Sequence, residues 1–305
     1  MVSQKDGISG IEIGNGLITI AQYFPQENSV GSIIIKPMSD AAGQDFDLAL
    51  KTELKNLITE IDYKNRNVAL SLPSEYAIVK KLSLDRDEKD VGEAIGWELS
   101  QHIIGAIEEY SFDYEGLGQS ADGAVKQYLA VAYRSSSIQK LVALLKANKL
   151  NPLVVDLDMF GLINVFEANY QEQVHVPAAL VLGNEGKSIV ILTRGATLLD
   201  FDVYLHDPGT PSADEYGTKV AASIERLCVL NGGSPREKPE IYCAGSLFSQ
   251  AEYIDSIALK YGNAQILDPF KKIACRAGKG EEDLRKFSHQ LGVAVGMALQ
   301  GGAEM

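Results

Sequence analysis

Apolar residues recur along this chain with two periods, and the switches between them mark out its elements. From residue 8 onward the period is near two. Residues 8–14 (Ile-Ser-Gly-Ile-Glu-Ile-Gly) predict a strand, and 17–24 predict a returning strand. Asn15-Gly16 between them is a hairpin signal, because the tightest hairpin turn needs positive φ at both central residues. Residues 30–36 supply a third strand. At 46–61 the period becomes helical, with Leu50, Leu54, Leu57, Ile58 and Ile61 on one face. Asn67–Leu72 predicts a short strand ended by Pro73.

The next block reads as an insert. Tyr76, Ile78, Lys80, Leu82 and Leu84 alternate as in a strand. Residues 87–104 predict a helix with Val91, Ala94, Ile95, Leu99 and Ile103 on one side. Tyr110, Phe112 and Tyr114 alternate with Ser111, Asp113 and Glu115, which predicts a half-buried strand. Residues 126–134 predict another, Ser135-Ser136 caps a helix, and Leu153–Leu157 closes the block. The order β-α-β-β-α-β predicts a small α+β unit at about 75–157.

The second half restarts with a strand at 178–182, a turn at Gly183-Asn184-Glu185-Gly186, and strands at 189–193 and 197–204. Helices at about 213–230 and 249–261 alternate with strands at 241–244 and 264–267. A last helix carries Leu284, Phe287, Leu291, Val295 and Leu299. The two hairpins echo each other: each Gly-Asn turn lies between apolar strands, and a further strand and a helix follow. This reads either as a duplicated two-domain fold with a cleft between the halves, or as a coincidence of two common turns.

Composition narrows the function classes. The 305 residues suggest about two domains. Lys and Arg number 28 against 41 Asp and Glu, a formal charge of −13, which argues against broad nucleic-acid binding and against docking on anionic lipid. No apolar run reaches the ~18–20 residues of a membrane helix. The first seven residues do not read as a secretory signal. Cys228, Cys243 and Cys275 form no CxxC pair and read as reduced thiols. His102, His175, His206 and His289 lack metal-ligand spacing.

Candidate chemistry centres on the two glycine hairpins. Glycine lets backbone N–H groups approach phosphates, although any one such turn more often merely closes a hairpin. No Walker loop or GxGxxG loop occurs, and Lys187-Ser188 lacks the strand–loop–helix context of one. Glu12 shares a strand face with Gly10 and Gly14 and could hold Mg²⁺ through water. Glu185, on its turn, reads as solvated. Asp158 reads as a helix N-cap rather than a ligand. There is no G-x-S-x-G elbow. Trp97, the single tryptophan, reads as a packing anchor, with a partner-binding role as the other reading.

Taken in order, these segments resemble the PilM family, actin-like proteins of type IV pilus assembly related to FtsA. Gly10-Ile11-Glu12-Ile13-Gly14 resembles the family's GIDIG phosphate motif. Tyr110-Ser111-Phe112-Asp113-Tyr114, Ala132-Tyr133-Arg134 and Leu153-Val154-Val155-Asp156-Leu157-Asp158 resemble its 1C insert. Ser223-Ile224-Glu225-Arg226 resembles the helix before the adenosine strand, and Cys243-Ala244-Gly245-Ser246 stands at the Gly-Gly adenosine turn. Asp268-Pro269-Phe270 is similar to the family's Asn-Pro-Phe, and Gly292–Leu299 to its closing helix. The departures are Glu12 for Asp, Thr19 for a Lys, Val181-Leu182-Gly183 for Asp-Ile-Gly, and Ala244-Gly245 for Gly-Gly. The step from Leu205 to Ala213 skips much of subdomain 2B.

The resemblance implies an α/β, actin-like ATPase fold of duplicated RNase H-like halves, with a 1C-type insert and a reduced or absent 2B. Subdomain 1A would be 1–75 and 158–176, 1C would be 76–157, and 2A would be 177–305. The implied ligand is ATP with Mg²⁺, on Gly10, Glu12, Gly14, Asn15, Gly16, Gly183, Asn184, Gly186, Gly245 and Ser246, with Glu12 toward the metal. The departures argue against hydrolysis and weaken the case for binding, and no catalytic residue is assigned. The implied partner is the N-terminal cytoplasmic tail of a PilN-like inner-membrane protein, in a groove near 73–84 and 153–160. Other pilus assembly proteins or cytoplasmic motor ATPases are further partners, and the implied place is the cytoplasm, peripheral to the inner membrane. The competing readings are an active actin-like ATPase or small-molecule kinase, and the cytoplasmic component of a type II secretion platform.

Overall fold

The computed structural model describes residues 7–14, 16–37, 55–56, 66–119, 123–173, 176–195, 197–206, 211–232, 238–276 and 286–305. In chain order the strands and longer helices are β1 (Ile8–Gly14), β2 (Leu17–Phe24), β3 (Ser29–Pro37), β4 (Asn67–Leu72), β5 (Ile78–Asp85), α1 (Val91–Ser100), β6 (Tyr110–Gln119), β7 (Val125–Arg134), α2 (Ser135–Ala147), β8 (Asn151–Leu157) and α3 (Asp158–Asn169). Then come β9 (Pro177–Gly183), β10 (Lys187–Arg194), β11 (Thr197–Leu205), α4 (Ala213–Leu230), β12 (Glu240–Ala244), α5 (Ala251–Lys260), β13 (Ala264–Ile266), β14 (Ala274–Cys275) and α6 (Ser288–Ala303). Among the described residues no helix is long and apolar enough to cross a membrane.

The chain forms two compact units, Met1–Leu72 with Asn148–Met305, and Pro73–Ala147. The larger unit holds two sheets, ordered β14-β3-β2-β1-β4-β8 and β11-β10-β9-β12-β13. Setting β14 aside, the two orders are the same. In each, three antiparallel strands lead and two parallel strands follow on the side of the first. The echo between the hairpins is therefore a structural repeat. β1 and β9 are almost continuously buried, as expected for central strands covered on both faces.

Glycine sets how closely the layers approach. A Cβ on Gly10 of β1 would lie 1.9 Å from the Ala294 carbonyl of α6, and one on Gly296 of α6 would lie 1.7 Å from the Gly161 carbonyl of α3. In the second repeat, Tyr216, Val220, Ile224 and Leu227 of α4 pack with Val181, Val190 and Cys243 of its sheet. Ser212 caps α4, its Oγ accepting from the Glu215 N–H, in a Ser-x-x-Glu capping arrangement.

The smaller unit is a three-stranded sheet ordered β5-β7-β6. Leu82, Leu84, Ile95, Leu99, Ala130 and Ala132 form its core. Asp90 caps α1 through the Glu93 N–H.

Several boundaries differ from the expectations. β8, placed by sequence in the insert, pairs in parallel with β4 of the six-stranded sheet, from Asn67↔Asn151 to Leu72↔Leu157. The insert's sheet thus has three strands. The 87–104 helix shortens to Val91–Ser100, leaving Ile103 outside it. The C-terminal segments do not all stay with the second repeat: β14 pairs with β3, and α6 packs on β1, β2 and β4. β6, expected to be half-buried, is exposed from Ser111 to Gly116, because it is an edge strand with a single neighbour. The expected helix at 46–61, residues 55–56 apart, lies outside the described residues, as does Leu284.

Candidate functional site

Three turns converge at the ends of the two repeats. The β1–β2 hairpin presents Gly14 and Gly16, with open space where a Cβ would stand, and Gly16 has φ +69°. Glu12 sits opposite Thr19 across this hairpin. The β9–β10 turn is closed by the Asn184 N–H donating to the Lys187 carbonyl at 2.9 Å, with the reverse bond at 3.3 Å. Asn184 is buried, and its Oδ1 accepts from the Ser246 N–H at 2.8 Å. Gly245, between β12 and Ser246, has φ +110°, and a Cβ there would lie 2.2 Å from the Gly183 carbonyl. Both facts demand glycine. The Gly245 N–H donates to the His289 carbonyl at 2.6 Å, which fastens this turn to α6.

Behind the turns lies a buried charge cluster. Lys187 Nζ, at the start of β10, donates to Asp158 Oδ2, at the start of α3, at 2.6 Å, and each side chain is only 7% exposed. The other Asp158 oxygen accepts from the Met159 N–H. Glu12 completes the cluster. Its enclosed carboxyl is pushed from 4.5 up to about 8, chiefly by burial and further by the Asp158 charge, against the downward pull of Lys187. Below pH 8 Glu12 is therefore mainly protonated, and one ammonium faces one carboxylate. This is the expected outcome where two carboxyl groups share a poorly solvated space.

A pocket of about 20 Å³ opens beside the cluster, lined by Glu12, Gly14, Thr19, Asn184, Ser246 and His289 among others. A space of that size holds one or two waters. Burial lowers the pKa of His289. Its Nε2 and Ser246 Oγ have no hydrogen-bond partner among the described residues.

Of the residues expected from sequence, Glu12, Gly14, Asn184, Gly245 and Ser246 meet around this pocket. Gly16 and Gly186 sit at hairpin tips with nothing near their Cβ positions. Gly10 and Gly183 serve packing: Gly10 seats α6, and a Cβ on Gly183 would strike Tyr216 and Phe248. Asn15 lies outside the described residues.

Sequence reasoning missed Asp158, Lys187 and His289. Asp158 is not the N-cap of α3, a place taken by Leu157. A lysine directly after a glycine turn and an aspartate at a strand-to-helix junction were the available signals. Elsewhere His206 Nε2 meets Ser188 Oγ at 2.9 Å, but Ser188 is fully buried and His206 Nδ1 has no partner among the described residues, so no nucleophilic triad forms.

The repeated sheets, their paired hairpins and the site at their ends define an actin-like ATPase fold. The chain belongs to the family described as type IV pilus assembly protein PilM, whose profile matches residues 10–209. Among solved structures it is similar to the PilM-PilN type IV pilus biogenesis complex, at 18% identity and a TM-score of 0.78, over 98% of this chain and 99% of that one. A Bacteroides thetaiotaomicron protein with an actin-like ATPase fold and unknown function matches at 13% identity and a TM-score of 0.55, over 88% and 95%. The cytoplasmic domain of EpsL, an inner-membrane component of the Vibrio cholerae type II secretion system, matches at 11% identity and a TM-score of 0.52, over 79% and 83%. No curated protein matches the chain.

Proposed function

We propose that this chain is a cytoplasmic scaffold of the type IV pilus inner-membrane assembly platform. It would dock the N-terminal cytoplasmic tail of a PilN-like membrane protein, with its nucleotide cleft held by its own side chains. Membership of the PilM family supports the assembly role. The likeness to a PilM-PilN complex supports the partner, and its TM-score of 0.78 against 0.52 favours this reading over a type II secretion role.

The observation that carries the scaffold reading is the buried Lys187–Asp158 pair. Magnesium bound with a nucleotide needs carboxylates free to hold the ion or its waters. Here Lys187 is already the counter-charge of Asp158, and Glu12 is mainly protonated at neutral pH. The Asn184 side chain also occupies the Ser246 N–H, and Gly245 lies against Gly183. Gly14 and Gly16 remain open to phosphates, but the metal and nucleoside sides of the cleft do not fit Mg²⁺·ATP.

Isothermal titration of the full chain with a synthetic PilN-tail peptide tests the partner. Saturable binding with a one-to-one ratio is expected. No heat at millimolar peptide, with the protein folded by circular dichroism, would overturn it.

A further inference from the structure

We propose that β6 of the inserted unit is a docking edge for an extended segment of a partner protein in which Lys or Arg alternates with apolar residues. β6 is ten residues long and lies at the edge of its sheet opposite β5, the strand through which the chain enters the unit. An exposed edge offers unpaired backbone groups to an incoming strand.

The two faces of β6 carry different chemistry. On one, Phe112 and Tyr114 remain 38% and 39% exposed. They lie beside Gly96 and Gly92 of α1, where a Cβ would be 3.3 Å from the Phe112 ring and 3.7 Å from the Tyr114 hydroxyl. Glycine at both positions, one turn apart, lets the α1 backbone lie close to these side chains while more than a third of each stays open to solvent. Tyr114 is steadied edge-on by Tyr128, with ring centroids 5.9 Å apart. The other face presents Asp113 and Glu115, and among the described residues neither has a cationic partner. Arg134, the nearby cation, is already engaged with Glu109 and over the Tyr110 ring.

Period-two geometry turns this pattern into a specification for the occupant. A strand laid along β6 places alternate side chains on opposite faces. One set must cover Phe112 and Tyr114, and the other must meet Asp113 and Glu115. A second copy of β6 fails, because its own carboxylates would stand against these two. An apolar strand fails at Asp113, whose carboxylate holds the Tyr114 N–H at 2.8 Å. A basic residue draws that carboxylate away and frees the N–H for pairing. The same contact stands on two of the other edge strands, at Asp156–Leu157 of β8 and Asp200–Phe201 of β11.

The test is fluorescence anisotropy on the full chain with a labelled decapeptide of alternating Lys and Val. Its Glu-for-Lys counterpart and a version N-methylated at every second residue are titrated in parallel. The Lys peptide is expected to bind saturably, and the Glu peptide not at all. N-methylation, which removes ladder donors but no charge, should weaken binding at least about tenfold. The D113K/E115K variant should lose binding to the same extent, and D113N/E115Q by less, with both folded by circular dichroism. Equal binding of the plain and N-methylated peptides overturns strand addition, leaving only charge attraction. No binding of the Lys peptide, or concentration-dependent dimerisation lost in D113K/E115K, overturns the proposed occupant.

Discussion

Lys187 and Asp158 belong to different repeats of the fold, yet their charged ends meet at 2.6 Å with each side chain only 7% exposed. One opens β10 on the second sheet, and the other opens α3 behind the first. The pair is therefore a strut between the two halves of the larger unit.

Breaking such a pair from one side leaves a buried charge without its partner. Lys187→Met is expected to cost about 3–5 kcal/mol of unfolding free energy in urea titrations. The double variant Lys187→Met with Asp158→Leu should recover most of that loss, because apolar replacement of a whole buried pair is often neutral. A single-variant loss below about 1 kcal/mol, the range of exposed pairs, would contradict a buried strut.

Glu12 makes stability depend on pH in an unusual direction for a carboxylate. Its folded pKa, about 8, lies above the value of 4.5 it would have in the unfolded chain. Between these values the folded state binds the extra proton, so this group's contribution is full below 4.5 and is lost as pH rises through 8. The slope is at most about 1.4 kcal/mol per pH unit. Glu12→Gln should flatten the stability profile over that window, as read by thermal melts at stepped pH. An unchanged profile would contradict the protonated carboxyl.

Two glycines of one strand should answer differently to alanine. Gly10→Ala drives a Cβ to 1.9 Å from the Ala294 carbonyl, so it is expected to cost about 3 kcal/mol or more, or to prevent folding. Gly14→Ala meets nothing within 4 Å and should stay within about 0.5 kcal/mol of the parent. Comparable losses at both positions, by urea denaturation, would contradict the packing role of Gly10.

The repeat was legible because it is local: each glycine turn announces its hairpin, and period-two apolar runs flank it. The pairing of β8 was not. A short apolar run has the same appearance in any sheet, and its parallel partner β4 lies 84 residues away, from Asn67 to Asn151. The site divides the same way. Glu12, Gly14 and Asn184 were readable from hairpin geometry. Asp158 at a helix start looks like any capping aspartate, and only the fold brings Lys187, 29 residues on, against it. Gly10 and Gly183 show the converse, for both admit close packing. A glycine that admits a helix or a tyrosine ring leaves the same trace in a sequence as one that admits a phosphate.

The most direct test of the self-closed cleft is calorimetric titration of the full chain with ATP and excess Mg²⁺ at neutral pH. No saturable binding is expected up to millimolar nucleotide, because Lys187 already neutralises Asp158 and Asn184 already fills the turn at Ser246. Micromolar affinity, abolished in a folded Gly245→Trp variant, would contradict that account and restore a working nucleotide site.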